Sequence, residues 1–214
     1  MMMNVRYGVA LAAALAIMGG AAVPTHASAN LLSNGSFEDP PITGGFNTIG
    51  AGGSIGAWSV GDNGVDLIHD YWTAADGLQS VDMSALSTGT LSQTVNTTAG
   101  RNYNLTFWIA GNVEGFNTIK SMNTLIDGNV VGTEFFNITG HTKANMGWTE
   151  YSYNFTSAGG PTTVSFQSLD ANPCGMALDN VSLKAVPEAS TVVLFSLMLV
   201  GGGLLLRKRT ARSL

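Results

Sequence analysis

The stretch YNLTFWI, residues 103–109, sets Tyr103, Leu105, Phe107 and Ile109 on one parity and Asn104, Thr106 and Trp108 on the other. Successive side chains of a strand point to opposite faces, so this alternation is that of a half-buried β-strand with Trp108 turned away from the core. The same period of two recurs in Tyr151, Tyr153 and Phe155 against Ser152 and Asn154, and in Val164 and Phe166 against Thr163, Ser165 and Gln167. Asp127-Gly128-Asn129 stands between Thr124-Leu125-Ile126 and Val130-Val131, which predicts a hairpin. Gly- or Asn-rich punctuation recurs, and outside the two ends no long window carries an apolar period of 3.6. Many short strands at this spacing predict an all-β fold, a β-sandwich rather than an α/β domain.

The two ends differ in kind from this middle. Met1 to Arg6 is weakly basic, Val9 to Ala22 is almost entirely apolar, and Ala27-Ser28-Ala29 has the small-x-small pattern that signal peptidase reads. Residues 1–29 therefore read as a secretory signal peptide, cleaved before Asn30, and His26 leaves with it. Ala189 to Leu206 is uncharged, and as a helix it reaches roughly 27 Å, enough to cross a bilayer. Arg207-Lys208-Arg209 behind it would stay on the cytoplasmic side, leaving the main domain outside. Pro187 cannot sit in a helix interior and marks where the span begins.

Between Asn30 and Glu188 the only cations are Arg101, Lys120, Lys143 and Lys184, against all fourteen acids of the chain, a net charge of −10. Four scattered cations make no phosphate-binding surface, which excludes nucleic acid as a partner and leaves calcium and neutral polysaccharide compatible. The single cysteine, Cys174, has no intrachain partner for a disulfide, and Asn172-Pro173-Cys174-Gly175 reads as a turn holding an inert thiol. About 155 residues suffice for one core without covalent staples.

The tail combines Val186-Pro187-Glu188-Ala189-Ser190, the apolar helix 189–206 and the basic cluster, and so resembles the PEP-CTERM sorting signal over residues 185–210. That resemblance implies an exosortase, a membrane-embedded enzyme, as partner and processor of the tail. Asn30-Leu31-Leu32-Ser33-Asn34-Gly35-Ser36-Phe37-Glu38 and Ala177-Leu178-Asp179-Asn180-Val181-Ser182-Leu183 resemble the first and last strands of galactose-binding-like jelly rolls. Val65-Asp66-Leu67-Ile68, Tyr71-Trp72, Asp76 to Met83, Leu91-Ser92-Gln93-Thr94-Val95 and Ile109-Ala110-Gly111-Asn112 look like the choice-of-anchor C family, with the likeness spanning residues 30–184. The jelly-roll resemblance implies a structural calcium held by Glu38 and Asp179, completed by backbone carbonyls because calcium takes six to eight oxygens.

Other motifs carry less. Asp62-Asn63-Gly64-Val65-Asp66 lacks the distal glutamate and flanking helices of an EF-hand and reads as a turn. Gly52-Gly53-Ser54-Ile55-Gly56 satisfies G-x-S-x-G, but in a glycine-rich loop without the following helix of a nucleophile elbow. His69 and His141, far apart and without a Cys partner, give no zinc signature. Asp62, Asp66, Asp70, Asp76 and Asp82 keep open a glycoside hydrolase, which needs two carboxylates in a cleft, although most of them sit at turns. The preferred reading is a non-catalytic envelope or matrix protein that binds carbohydrate. Its candidate ligand residues are Trp108, Tyr71, Trp72 and Asn112, aromatic faces and an amide suited to a sugar. A structural or adhesive surface protein without a defined ligand is the alternative.

Overall fold

The computed structural model describes residues 28–115 and 117–187. Residues 1–27 of the signal peptide, Glu188, Ala189 and Ser190 of the sorting motif, and the 189–206 span therefore lie outside the described residues. Among those described, no helix is long and apolar enough to cross a membrane.

The strands are β1 (Phe46–Ile49), β2 (Ser54–Ile55), β3 (Trp58–Asp62), β4 (Val65–Ile68), β5 (Ser80–Asp82) and β6 (Gly89–Thr97), followed by β7 (Asn102–Gly111), β8 (Ile119–Ile126), β9 (Asn129–Asn137), β10 (Thr149–Thr156), β11 (Gly160–Ser168) and β12 (Met176–Ala185). They form two six-stranded sheets, ordered β1-β4-β5-β12-β7-β10 and β2-β3-β6-β11-β8-β9. Every pairing in them is antiparallel. The alternation that opened the sequence reading is borne out. Tyr103, Leu105, Phe107 and Ile109 point into the core from β7, while Trp108 is half-buried on the opposite face.

The two inner faces meet through aromatic rings. Phe107 of the first sheet packs edge-on against Phe166 of the second, with ring centroids 4.9 Å apart. Trp58 lies between Phe166 and Phe37, at 6.2 and 5.7 Å. Asp127 and Gly128 both adopt positive φ, 49° and 76°, the double left-handed turn that the twist of a two-residue hairpin favours, and they join β8 to β9 as predicted. Asp62, at φ 52°, and Gly64, at φ 87°, likewise make the Asp62–Asp66 stretch a turn between β3 and β4. Ser54 belongs to the two-residue strand β2, with no helix after it, so the G-x-S-x-G geometry is absent.

One expectation needs correction. Residues 30–38 do not form a strand of either sheet. They run against β12, where the Leu31 N–H donates to the Leu183 carbonyl and the Val181 N–H to the Gly35 carbonyl, each at 2.8 Å. Asn34 and Phe37 take left-handed conformations, φ 53° and 59°, which break a continuous ladder. Phe37 is thereby turned fully into the core.

Candidate functional site

The loop between β4 and β5, residues 69–79, lies over the outer face of the first sheet, and two acids of the sequence reading hold it there. Register places Asp179 of β12 beside Trp108 of β7, on the outer face. It is nevertheless fully buried, because the loop covers it. Asp179 Oδ2 accepts the amides of Ala75 and Asp76 at 2.8 and 2.9 Å, and Oδ1 that of Asn180 at 2.6 Å. Glu38 Oε1 accepts the next pair of amides, those of Leu78 and Gln79, both at 2.8 Å. Gly77, between the two pairs, has φ 66°, and a Cβ there would stand 2.3 Å from Glu38 Oε1, so only glycine fits. Glu38 and Asp179, distant in sequence, thus converge on one five-residue segment.

Further bonds fix the loop's other half. The buried Trp72 donates its indole N–H to Ser80 Oγ at 2.8 Å. The Thr73 N–H reaches the Lys143 carbonyl and the Thr73 carbonyl accepts from Trp148 Nε1, each at 2.9 Å. Between this loop and the segment around Lys143 opens a groove of about 420 Å³, lined by His69, Asp70, Tyr71, Lys143, Gly77 and Leu78 among others. Tyr71 forms its aromatic wall. Lys143 Nζ sits 3.5 Å from the centre of the Tyr71 ring and 2.6 Å from Glu114 Oε1, and the Tyr71 hydroxyl donates to the other oxygen of Glu114. Glu114 raises the pKa of Lys143 and of Tyr71 by hydrogen bonding, and Lys143 in turn lowers that of Glu114. His69 Nδ1 stands 2.9 Å from Asp70 Oδ1.

Of the four candidate ligand residues, the structure brings Tyr71 and Trp72 to the groove and leaves Trp108 and Asn112 off its wall. Trp72, expected to present a face for stacking, is buried and instead packs edge-on against Tyr71, 5.7 Å between centroids. Asn112 is buried too, its amide N–H donating to Asp82 Oδ2 at 2.8 Å and its Oδ1 accepting the Glu114 N–H at 3.0 Å. It supports Glu114 from below. Lys143 and Glu114 escaped the sequence reading because they lie on separate loops; the scarcity of cations was the one available signal.

The aspartates disperse. Asp82 is buried and accepts amides of Ser84 and Gly175, both at 3.0 Å, and Asp66 beside it accepts the Thr48 hydroxyl at 2.6 Å. Desolvation raises both, Asp82 to about 7. Asp70 is exposed at the groove, while Asp62 and Asp76 are exposed elsewhere. The Cys174 thiol is half-buried and pushed up, chiefly by burial. Among the described residues no group of three or more His, Cys, Asp or Glu is placed to hold a metal ion. The contacts of Glu38 and Asp179 are with backbone N–H groups of Ala75, Asp76, Leu78, Gln79 and Asn180; of the two side chains, the carboxylate oxygens alone have the hard chemistry calcium selects.

Halomucin of Haloquadratum walsbyi is 30% identical over 162 residues, which cover 72% of this chain and 2% of Halomucin. The chain therefore spans a small fraction of that relative. A cyclase from Fischerella sp. TAU aligns with a TM-score of 0.51 at 15% identity, over 76% of this chain and 98% of the cyclase. A family 35 carbohydrate-binding module from Clostridium thermocellum aligns with a TM-score of 0.44 at 17% identity, over 65% of this chain and 98% of the module. At its identity the likeness to the cyclase is one of fold alone. Residues 30–184 match the family described as "Protein of unknown function (DUF642)", and the chain belongs to that family.

Proposed function

We propose that this chain is an exported, non-catalytic β-sandwich that binds neutral polysaccharide in the groove walled by Tyr71. The observation that supports the reading is the groove's construction. An aromatic side chain stands beside alternating donors and acceptors, on a loop fixed through Glu38, Asp179, Ser80 and Trp148. Sugar rings present C–H faces to aromatic rings and hydroxyls to such polar groups, and a fixed loop loses little entropy on binding. The groove is lined by Asp70 and by one lysine, Lys143, which the neighbouring Glu114 already engages. A uronate would meet net repulsion there, so an uncharged sugar fits better.

The test is titration calorimetry with soluble neutral polysaccharides, preceded by a glycan array. Tyr71→Ala should weaken binding about tenfold, the equivalent of ~1.4 kcal/mol. A folded wild-type protein that binds no glycan would favour the structural or adhesive reading. Release of reducing sugar would favour the hydrolase.

Calcium belongs to the same proposal. Glu38, Asp179 and loop carbonyls would hold it, and its role would be to neutralise a buried carboxylate and tighten the 69–79 loop. Chelation should then lower the melting temperature, and calcium restore it. An unchanged melting curve would leave the backbone amides as the sole partners of both acids.

Export and sorting complete the reading. The signal-peptide pattern, the choice-of-anchor C resemblance and the PEP-CTERM-like tail of the sequence support a domain outside the cell, with signal peptidase and an exosortase as its processing partners. Val186 donates its N–H to the Asn102 carbonyl at 2.8 Å, at the start of β7, whereas Glu114 follows that strand's far end. An anchor continuing from Pro187 would thus leave from the end of the sandwich opposite Glu114.

A further inference from the structure

The Tyr71 ring already carries a partner. Lys143 Nζ stands 3.5 Å from the ring centre, a distance that only a position over the face allows, since the ring's own carbons and hydrogens keep an in-plane atom further out. Other neighbours surround the ring as well. Trp72 and Phe46 meet it at 5.7 and 5.6 Å between centroids, both steeply inclined, and Gly45 backs it, where a Cβ would lie 3.6 Å from Tyr71 Cδ2. Lys143 and Tyr71 both line the groove, so the lysine covers the ring where a ligand in the groove would meet it.

The backbone on both sides of this contact is tied down. Lys143 and Ala144 form the tip of a tight turn closed by Thr142 and Asn145, whose N–H groups donate to each other's carbonyls at 3.0 and 2.9 Å, and the Lys143 carbonyl accepts the Thr73 N–H at 2.9 Å. Glu114, which holds the ammonium at 2.6 Å, is fixed likewise: its N–H donates to Asn112 Oδ1 at 3.0 Å and its carbonyl accepts from Nζ of the buried Lys120 at 3.2 Å. What remains free is the stem of Lys143. The side chains of Lys143 and Glu114 are 37% and 48% exposed, and an ion pair so open to water is weak.

We infer that Lys143 is a gate on the groove: its ammonium fills the place on Tyr71 where a sugar ring would stack, and binding requires the side chain to swing off the ring into solvent. The inference rests on the groove's being the carbohydrate site. A lysine on its flexible stem can leave the ring without any movement of the two loops, and the apparent affinity for sugar is then the intrinsic affinity scaled down by the fraction of molecules whose ring is uncovered. Lys143 thus lowers affinity, the opposite of what a ligand contact does. Arginine in its place would hold the gate more firmly, because a planar guanidinium stacks on an aromatic face and forks onto a carboxylate at once.

Titration calorimetry of the full chain in mild detergent with soluble neutral glucan, galactan and mannan tests this. Lys143→Ala should bind about fivefold more tightly than the wild type, since an exposed ion pair and a cation–π contact together hold the gate only weakly. Lys143→Arg should bind less tightly than the wild type. Added salt loosens the Lys143–Glu114 pair, so wild-type affinity for these uncharged glycans should rise with salt while that of Lys143→Ala stays level. Binding weakened by Lys143→Ala and kept by Lys143→Arg marks a cation that touches the ligand, and it overturns the gate while leaving the groove as the site. So does an affinity that neither variant changes. Binding that survives Tyr71→Ala at full strength, or that neither the wild type nor Lys143→Ala shows, overturns the reading of the groove and the gate with it.

Discussion

Asp179 shows how one side chain can serve both fold and site. It is shut from water on the outer face of a sheet, and desolvation pushes it up to about 7 despite the amides of Asp76, Asn180 and Ala75. Asp82 is raised to about 7 by the same cause. For an acid raised above its unfolded value, the folded state binds the extra proton. Stability from these groups is therefore fully present below about 4 and is lost as the pH rises to about 7. The melting temperature should be higher at pH 5 than at pH 8 in the presence of chelator, and Asp179→Asn should flatten that decline without abolishing it, because Asp82 remains. A melting temperature that rises over this range would refute the assignment. Saturating calcium, if bound as proposed, favours the ionised carboxylate and should shrink the decline in the wild type more than in the variant.

At the scale of elements, the closing strand β12 depends on a neighbour that is not a strand. Gly35 approaches the Val181 carbonyl so closely that a Cβ would stand 2.0 Å from the oxygen, against backbone that cannot move aside like a flexible side chain. Gly35→Ala should cost about 1–3 kcal/mol, read as a lower midpoint in urea denaturation. Because the Val181 N–H bonds the Gly35 carbonyl, amide exchange at Val181 should also accelerate. An alanine variant as stable as the wild type would mean that the segment swings free at little cost. The resemblance of Asn34-Gly35-Ser36-Phe37-Glu38 to the opening strand of jelly rolls suggested a strand. Two left-handed residues within it decided otherwise, and no propensity argument marks Phe37 for that conformation.

At the scale of the whole molecule, the ends of β7 separate the proposed groove from the proposed anchor. Ten residues of strand span roughly 33 Å, so Glu114 at one end and Val186 at the other are about that far apart along the sandwich. Such an arrangement holds a ligand site away from a membrane. If Pro187-Glu188 is a recognition element for an exosortase, Glu188→Ala should leave export and insertion intact and block only processing, since one residue outside the span contributes little to either. Intact mass from cells carrying an exosortase checks this. Loss of Arg207 to Leu214 in the wild type but not in the variant is expected, and retention in both refutes the sorting proposal.

The period of two in residues 103–109, 151–155 and 163–167 determined by itself that these are strands, which side of each is buried, and that Trp108 looks outward. The double left-handed turn at Asp127-Gly128 was equally legible, because local backbone sterics decide it. Such features follow from neighbours a few residues apart, whose geometry is fixed by the chain. The groove was not legible in this way. It needs Tyr71, Glu114 and Lys143 from three separate segments, and register and loop packing alone bring them to hydrogen-bonding distance. The same holds for Trp72 and Asn112, whose polar atoms found partners inside the fold and were withdrawn from the surface. Glu38 and Asp179 lie between these cases. Their pairing was suggested by resemblance, but only the tertiary structure set both carboxylates on the amides of one loop, two on either side of Gly77, because an acid withdrawn from water must take whatever donors the folded chain carries to it.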